Sequence, residues 1–304
     1  MMLNVTTELV QPEIDPDVEL AELFASSSGS AAGFHAISSW LTCPEQARLR
    51  ALGVRPKAPL EVGDDYQLSA LDFGTLAHHL RAIRIVHGND VLARVLDRYK
   101  ADLHPEDHLM VTMMFAAYES TYPLEQDRKL FEVLGVEVEV VTDIALPGSS
   151  PILRSVRYDT LIRAKTGEVF SFEAKTMSRS GTSSLNPYLA QAMVQQAIWN
   201  ANPALVQRYG RMHGILFDCL IKTKTPSVDR IGPRYFGRVH EDMALNYMRL
   251  PENGSAVFTV QPDGTYPKML HACYGRWRPC DYVALCHDQS RGEYEYRDGS
   301  PFLG

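Results

Sequence analysis

Two carboxylates, Asp159 and Glu173, and one ammonium, Lys175, fall within a single short stretch of the chain. Residues 156–162 and 169–174 are rich in β-branched and aromatic side chains, the signal of strands. Lys165-Thr166-Gly167 between them is a short turn in which Gly167 can take a positive φ. An antiparallel hairpin folded near Thr166 puts Asp159 across from Glu173, and Glu173 and Lys175 project from the same face because they are two apart. Hard cations such as Mg²⁺ take carboxylate oxygens. A bound metal polarises a phosphoryl oxygen and helps deprotonate an attacking water. A lysine beside it stabilises developing negative charge or places that water. Charges gathered at one end of a hairpin are costly to bury unless they pair with each other or with a metal. The alternative is a hairpin whose Asp, Glu and Lys are solvated, and the neighbouring elements decide between the two.

Those elements are legible in outline. Residues 136–141 alternate as a half-buried strand does. Helices are expected over residues 44–52, with Pro44 first and Gly53 just past the end, and over 71–86. Asn89 is placed to cap the next helix, through about Tyr99, and a further helix covers 105–118. Asn186-Pro187 starts a helix to about Asn200, and 214–221 is another strand. Asn253-Gly254 and Asp263-Gly264 mark turns. Residues 1–33, with the run Ser26-Ser27-Ser28-Gly29-Ser30, read as a flexible segment. The order describes a mixed α/β core with a helical N-terminal part.

Two of these helices carry candidate partners for the hairpin. Phe73-Gly74-Thr75-Leu76-Ala77-His78-His79 lies in the first long one. A neutral imidazole at His78 could complete a metal site, with Gly74 offering a bare surface for close packing. His79 points about 100° away on a helix, so the two cannot serve one site equally. In the helix after the hairpin, Tyr188, Gln191, Gln195 and Trp199 fall on one face by three- and four-residue steps. Glutamines there can orient a water, a phosphate or the lysine.

At 304 residues with 45% hydrophobic content the chain supports a sizeable core, and a formal charge of −7 argues against a generally basic nucleic-acid coat. A local basic groove is still open: Arg154, Arg157, Arg163, Arg179, Lys222, Lys224, Arg230, Arg234 and Arg238 are dense around and after the hairpin. No apolar run is long enough to span a bilayer and no basic-then-apolar leader is present, so a cytoplasmic protein is expected. Three of the five cysteines crowd the C-terminal part, Cys273, Cys280 and Cys286, and Cys43 stands in Thr42-Cys43-Pro44. Four thiolates can hold an iron–sulfur cluster or a zinc ion. Cys219 sits in an apolar strand and reads as a buried thiol.

The combined pattern resembles the PD-(D/E)XK nuclease superfamily, in its RecB-like and AddB-like branch with a cysteine clasp, which includes CRISPR-associated and phage nucleases. The resemblance covers about residues 35–286. The family's G-x-x-x-H element matches Gly74 to His78, its aspartate Asp159, its acid-x-lysine Glu173 and Lys175, and its Q-x-x-x-Y helix Gln195 to Trp199 or, less closely, Gln191 to Gln195. Its S-x-x-x-x-C-P entry resembles Ser38 to Pro44. A tryptophan or glutamine stands where the family has tyrosine, Val156-Arg157-Tyr158 stands where a glycine is usual, and the first cysteine gap is longer than the common one. The resemblance implies a restriction-endonuclease-like α/β core. It also implies Mg²⁺ or Mn²⁺ held by His78, Asp159, Glu173 and the Ala174 carbonyl, with Lys175 assisting the nucleophilic water and Glu137 as an ancillary acid. A 4Fe–4S cluster on Cys43, Cys273, Cys280 and Cys286 would clasp the N- and C-terminal parts, zinc being the other occupant. The implied domain is 34–304, with a helical part over about 34–125, a catalytic core over about 126–225 and a cysteine-clasp region over about 226–304. The implied activity is DNA hydrolysis, as an exonuclease on single strands or free ends, with a helicase or recombination protein as partner and no membrane. A catalytically inactive DNA-binding or assembly subunit of the same fold, and a zinc-clasped structural protein, are the alternatives.

Overall fold

A twisted sheet is assembled around the hairpin that the sequence marks. The computed structural model describes residues 9–26, 43–56, 67–144, 152–179, 181, 185–248 and 294–296. By contacts the chain divides into two compact units, Met1–Ser28 with Asp64–Tyr247, and Gly29–Gly63 with Met248–Gly304.

The first unit holds a six-stranded sheet in the order β1 (Leu9–Val10), β3 (Phe131–Ile144), β4 (Ile152–Ala164), β5 (Val169–Met177), β6 (Met212–Ile221) and β7 (Ser227–Arg234). All neighbours are antiparallel except β5 and β6, which run parallel. The turn between β4 and β5 is closed by Gly167 N–H to Ala164 C=O at 2.9 Å, with Gly167 at φ 102°, as the sequence requires. Parallel neighbours need a crossover, and residues between β5 and β6 supply it with helices α7 (Asn186–Ala201) and α8 (Pro203–Tyr209). Strands β3 and β4 are longer than expected, at 14 and 13 residues.

Helices α1 (Leu20–Ser26), α3 (Ala70–His87), α4 (Asn89–Arg98), α5 (Pro105–Thr121) and α6 (Leu124–Leu130) precede β3, and α9 (Arg238–Met248) follows β7. Ser69 caps α3, its Oγ accepting from Asp72 N–H at 3.2 Å. Phe73, Leu76, Ala77, Leu80 and Ile83 recur along α3 at helical spacing and pack with Val95 of α4, Met114 and Phe115 of α5, and Leu220 of β6. Beneath this layer Phe172 and Thr176 of β5 face α3: the Arg81 guanidinium lies over the Phe172 ring, and Gly74 lies against Thr176. Glu173 and Lys175 face α7, meeting Gln195 and Tyr188. The two helices therefore cover opposite faces of the sheet, as alternation along β5 demands.

The α/β class and the helical N-terminal part are as expected. Residues 9–26, expected to be flexible, instead contribute an edge strand and a helix: Leu9 pairs with Val140, and Leu20 joins the apolar core. Their polar composition concealed one strand too short to show alternation. Asn89 is not a cap but the first residue of α4. Gly88, at φ 92°, ends α3 and opens α4, a backbone angle that glycine alone adopts freely. Among the described residues no helix is long and apolar enough to cross a membrane.

In the second unit, α2 (Pro44–Ala51) leads to β2 (Val54–Pro56), which pairs antiparallel with β8 (Tyr294–Tyr296). Cys43, 2% exposed, precedes α2 and is a free thiol. Cys273, Cys280 and Cys286 lie outside the described residues.

Two glycines should respond oppositely to an added methyl. At Gly135 a Cβ would overlap Cγ2 of the buried Val138, so Gly135→Ala should lower unfolding free energy by about 1–3 kcal/mol. At Gly74 a Cβ would meet Thr176 Oγ1 at an ordinary 3.5 Å, and Gly74→Ala should stabilise by up to about 1 kcal/mol through helix propensity. Urea denaturation of the two variants reads both signs.

Candidate active site

The β4–β5 ladder pairs Arg163 with Val169, Ile162 with Phe170, Leu161 with Ser171 and Thr160 with Phe172, and stops there. The next pair in that register is Asp159 with Glu173, so the two carboxylates stand where the strands part. Backbone groups released at such a point need partners, and side chains provide them. Ala174 N–H donates to Asp159 Oδ2 at 2.8 Å, and Gln195 Nε2 donates to the Arg157 carbonyl at 3.1 Å.

Regular alternation also fails at Asp159. The Tyr158 hydroxyl donates to the Gln195 carbonyl of α7 at 2.8 Å, whereas Thr160 Oγ1 accepts from Arg81 Nη1 of α3 at 2.9 Å. Residues two apart on a regular strand share a face, yet these reach opposite layers. In β3, Val136 pairs with Thr160 and Val138 with Tyr158, which places Glu137 opposite Asp159. Glu137 has φ 52°, the one non-glycine residue with positive φ among the described residues. A left-handed glutamate costs about 1–2 kcal/mol, a strain that observed outliers at functional sites commonly carry. Here it accompanies a second departure, a bulge between Val133 and Gly135.

The outcome is a cluster of charges. His78 Nδ1 lies 3.2 Å from Asp159 Oδ2, and the ligand atoms of His78, Glu137 and Asp159 all lie within 4.8 Å of one another. Glu173 sits beside them, 1% exposed, with Oε2 3.3 Å from Lys175 Nζ and Oε1 accepting a short hydrogen bond from Gln195 Nε2. Lys175 also lies over the Tyr188 ring, 5.3 Å from its centroid. Gln195 thus touches both the carboxylate and the parted backbone. Gln191, one turn earlier, makes no hydrogen bond to the carboxylates among the described residues. Trp199 is buried away from the charges: its indole N–H donates to the Gly210 carbonyl, and its ring packs edge-on against Tyr158. His79 turns aside to Tyr99, and burial pushes its pKa down to about 4.

The electrostatics show an excess of negative charge. Burial, and then the Asp159 charge, push the carboxyls of Glu137 and Glu173 each up to about 7. Burial would raise Asp159 as well, but His78, Lys175 and Arg81 hold it well below the usual carboxylate range. Burial would lower His78 and Lys175, and the carboxylates more than offset it, leaving both raised: Asp159 acts on His78, and Glu173 then Asp159 act on Lys175. Three carboxylates thus face one imidazole and one ammonium. Hard oxygen donors with one borderline nitrogen, short of positive charge, fit a divalent cation such as Mg²⁺ or Mn²⁺. The closest-spaced trio is His78, Glu137 and Asp159, while Glu173 is held between Lys175 and Gln195. The Ala174 group engaged with Asp159 is its N–H.

Several of the basic residues dense around the hairpin serve the fold, and others stay on the surface. Arg154 is fully buried, Arg163 pairs with Glu132 at 3.0 Å, and Arg230 is held by Asp127 and Asp218, each at 2.7 Å. Lys222 lies over the Phe73 ring. Arg157, Arg179, Lys224 and Arg238 are exposed. Sequence reasoning missed Asp218 and Arg81, the latter with all its side-chain partners distant in the chain.

No family model and no curated protein matches the chain. Among solved structures, it is similar to a protein of Eubacterium rectale named as a putative exonuclease, with 13% identity over 84% of this chain and 92% of that one at a TM-score of 0.43. It is also similar to the protein SSO0001, with 12% identity over 89% of this chain and 95% of that one at a TM-score of 0.39.

A pH dependence follows. Glu137 and Glu173 bind protons more tightly folded than unfolded, so the metal-free fold holds extra protons between the ordinary glutamate range and about pH 7. Its stability should therefore fall as pH rises through about 7. Thermal melts of chelator-treated protein should show a lower Tm near pH 8 than near pH 6, and added Mn²⁺ should raise Tm more at the higher pH. Glu137→Gln should flatten the metal-free trend and weaken the Mn²⁺ effect.

Proposed function

We propose that the chain is a divalent-cation-dependent nuclease that hydrolyses DNA phosphodiester bonds, acting as an exonuclease on strands with a free end. One observation carries the reading. Asp159, Glu173 and Lys175 meet at the parting of β4 and β5 with Glu137 and His78 beside them, and the residue types and order match the nuclease motifs in the sequence.

His78, Glu137 and Asp159, with Glu173 alongside, would hold Mg²⁺ or Mn²⁺. When bound, the cation supplies Lewis acidity to the phosphodiester. Lys175 is kept protonated by Glu173 and Asp159, so it acts as a donor, steadying the water that approaches phosphorus or the charge that builds on a non-bridging oxygen. Gln195 fixes Glu173 through its amide, and Tyr158 fixes Gln195 in turn. His78, with 29% of its side chain exposed, stands at the solvent side of the cluster. Water oxygen bonds to phosphorus as the 3′ P–O bond breaks, giving a 5′-phosphate and a 3′-hydroxyl. Cys43 with Cys273, Cys280 and Cys286 is the proposed seat of an iron–sulfur cluster. Pairing of β2, which follows Cys43 in sequence, with β8, which follows Cys286, supports it.

Cleavage of end-labelled linear and closed circular DNA in Mg²⁺ or Mn²⁺ tests the reading. The wild type should shorten linear strands, spare circles and stop on chelation. Lys175→Ala should bind Mn²⁺, fold normally and lose at least about 100-fold in turnover. If metal-loaded wild type binds DNA without cutting it, the chain is the inactive DNA-binding subunit instead.

A further inference from the structure

Arg81 is nearly fully buried, one turn beyond His78 on α3, and it uses three nitrogens on three different elements. Nη1 donates to Thr160 Oγ1 of β4 at 2.9 Å, Nη2 to Asp218 Oδ2 of β6 at 3.1 Å, and Nε to the Tyr118 hydroxyl of α5 at 3.3 Å. Thr160 directly follows Asp159 in β4. Asp218 is the register partner of Ala174, which stands between Glu173 and Lys175 in β5. One guanidinium therefore references α3 to the two strands adjoining the candidate site.

The acceptor is itself fixed. Asp218 is fully buried and receives Arg230 Nε at 2.7 Å and the Tyr118 hydroxyl through a short bond. Arg230 is clamped by both oxygens of Asp127, at 2.7 and 3.0 Å. A planar guanidinium with bonds in several directions fixes both distance and angle, which an apolar contact at this point of α3 would not.

We propose that Arg81, anchored on Asp218, is a positioning residue of the cation centre: it sets the height and rotation of α3 at which His78 reaches Asp159. The proposal rests on the cation reading of that site. Arg81 makes no hydrogen bond to His78, Glu137, Asp159 or Glu173; beyond the pull of its charge on Asp159, its bonds act on the centre by placing His78. Buried ion pairs are costly, and this one joins the helix that carries the imidazole to strands beside the carboxylates.

Arg81→Met keeps the side-chain bulk and leaves Asp218 with Arg230 and Tyr118, so no carboxylate is orphaned. Two measurements follow. In a crystal structure of the metal-free variant, His78 Nδ1 should stand beyond hydrogen-bond reach of Asp159. By isothermal titration, Mn²⁺ affinity should fall about 10-fold or more. On a His78→Ala background the same change should cost clearly less, because the part of its effect that passes through the imidazole is already gone, leaving only the direct pull of its charge on Asp159. Thr160→Val, which removes only the acceptor beside Asp159, gives the same direction with a smaller loss should Arg81→Met not fold. An unaltered His78–Asp159 contact, or full additivity with His78→Ala, overturns the positioning role. Failure of the wild type to bind Mn²⁺ overturns the cation reading instead, and leaves the crystallographic comparison to judge Arg81.

Discussion

Three carboxylates crowded into a protein interior with one ammonium and one imidazole are costly to desolvate and repel one another, and the rest of the site is arranged around that charge imbalance. The sheet does not simply tolerate the charges; it opens for them. Where β4 and β5 part, Asp159 takes the Ala174 amide and Gln195 takes the Arg157 carbonyl, so the polar groups freed by the break are satisfied by the residues that need the space. Glu137, held in a left-handed conformation across from Asp159, completes the crowding from the third strand. Such a cluster persists only because the surrounding structure over-determines it.

That over-determination lies on the two faces of β5. On one face α7 holds Glu173 through Gln195 and Lys175 through Tyr188. On the other, α3 is held by Arg81, Asp218, Arg230 and Asp127. The second set is a charge network buried at Arg81 and Asp218 and reaching partly exposed groups at Arg230 and Asp127. Isolated, it would be a poor source of stability, since the desolvation of each ion roughly offsets its attraction. Its directional bonds instead make one placement of the helix distinct from its neighbours.

The hairpin was legible because its information is local. Counting from Thr166 gives the Asp159–Glu173 register, and two-residue periodicity gives the shared face of Glu173 and Lys175. His78 and Gln195 were legible from helical spacing and a motif. Glu137 could be named as an acid but not as a left-handed residue, because glutamate carries no preference for positive φ. Arg81 was invisible for a different reason: its partners Tyr118, Thr160 and Asp218 are 37, 79 and 137 residues away, and an arginine in a helix reads as solvated surface. The same habit made Arg154, Arg163 and Arg230 look like a basic groove. The N-terminal strand, two residues long, offers no period to detect.

The bond from Ala174 N–H to a carboxylate rather than a carbonyl gives this amide an unusual character. Its proton is bonded to Asp159, the carboxylate that His78, Lys175 and Arg81 all act on, and β6 pins the same residue from the other side. A backbone resonance is therefore wired to the ionic state of the centre, and nuclear magnetic resonance can follow that one proton as a gauge of occupancy without any substrate present.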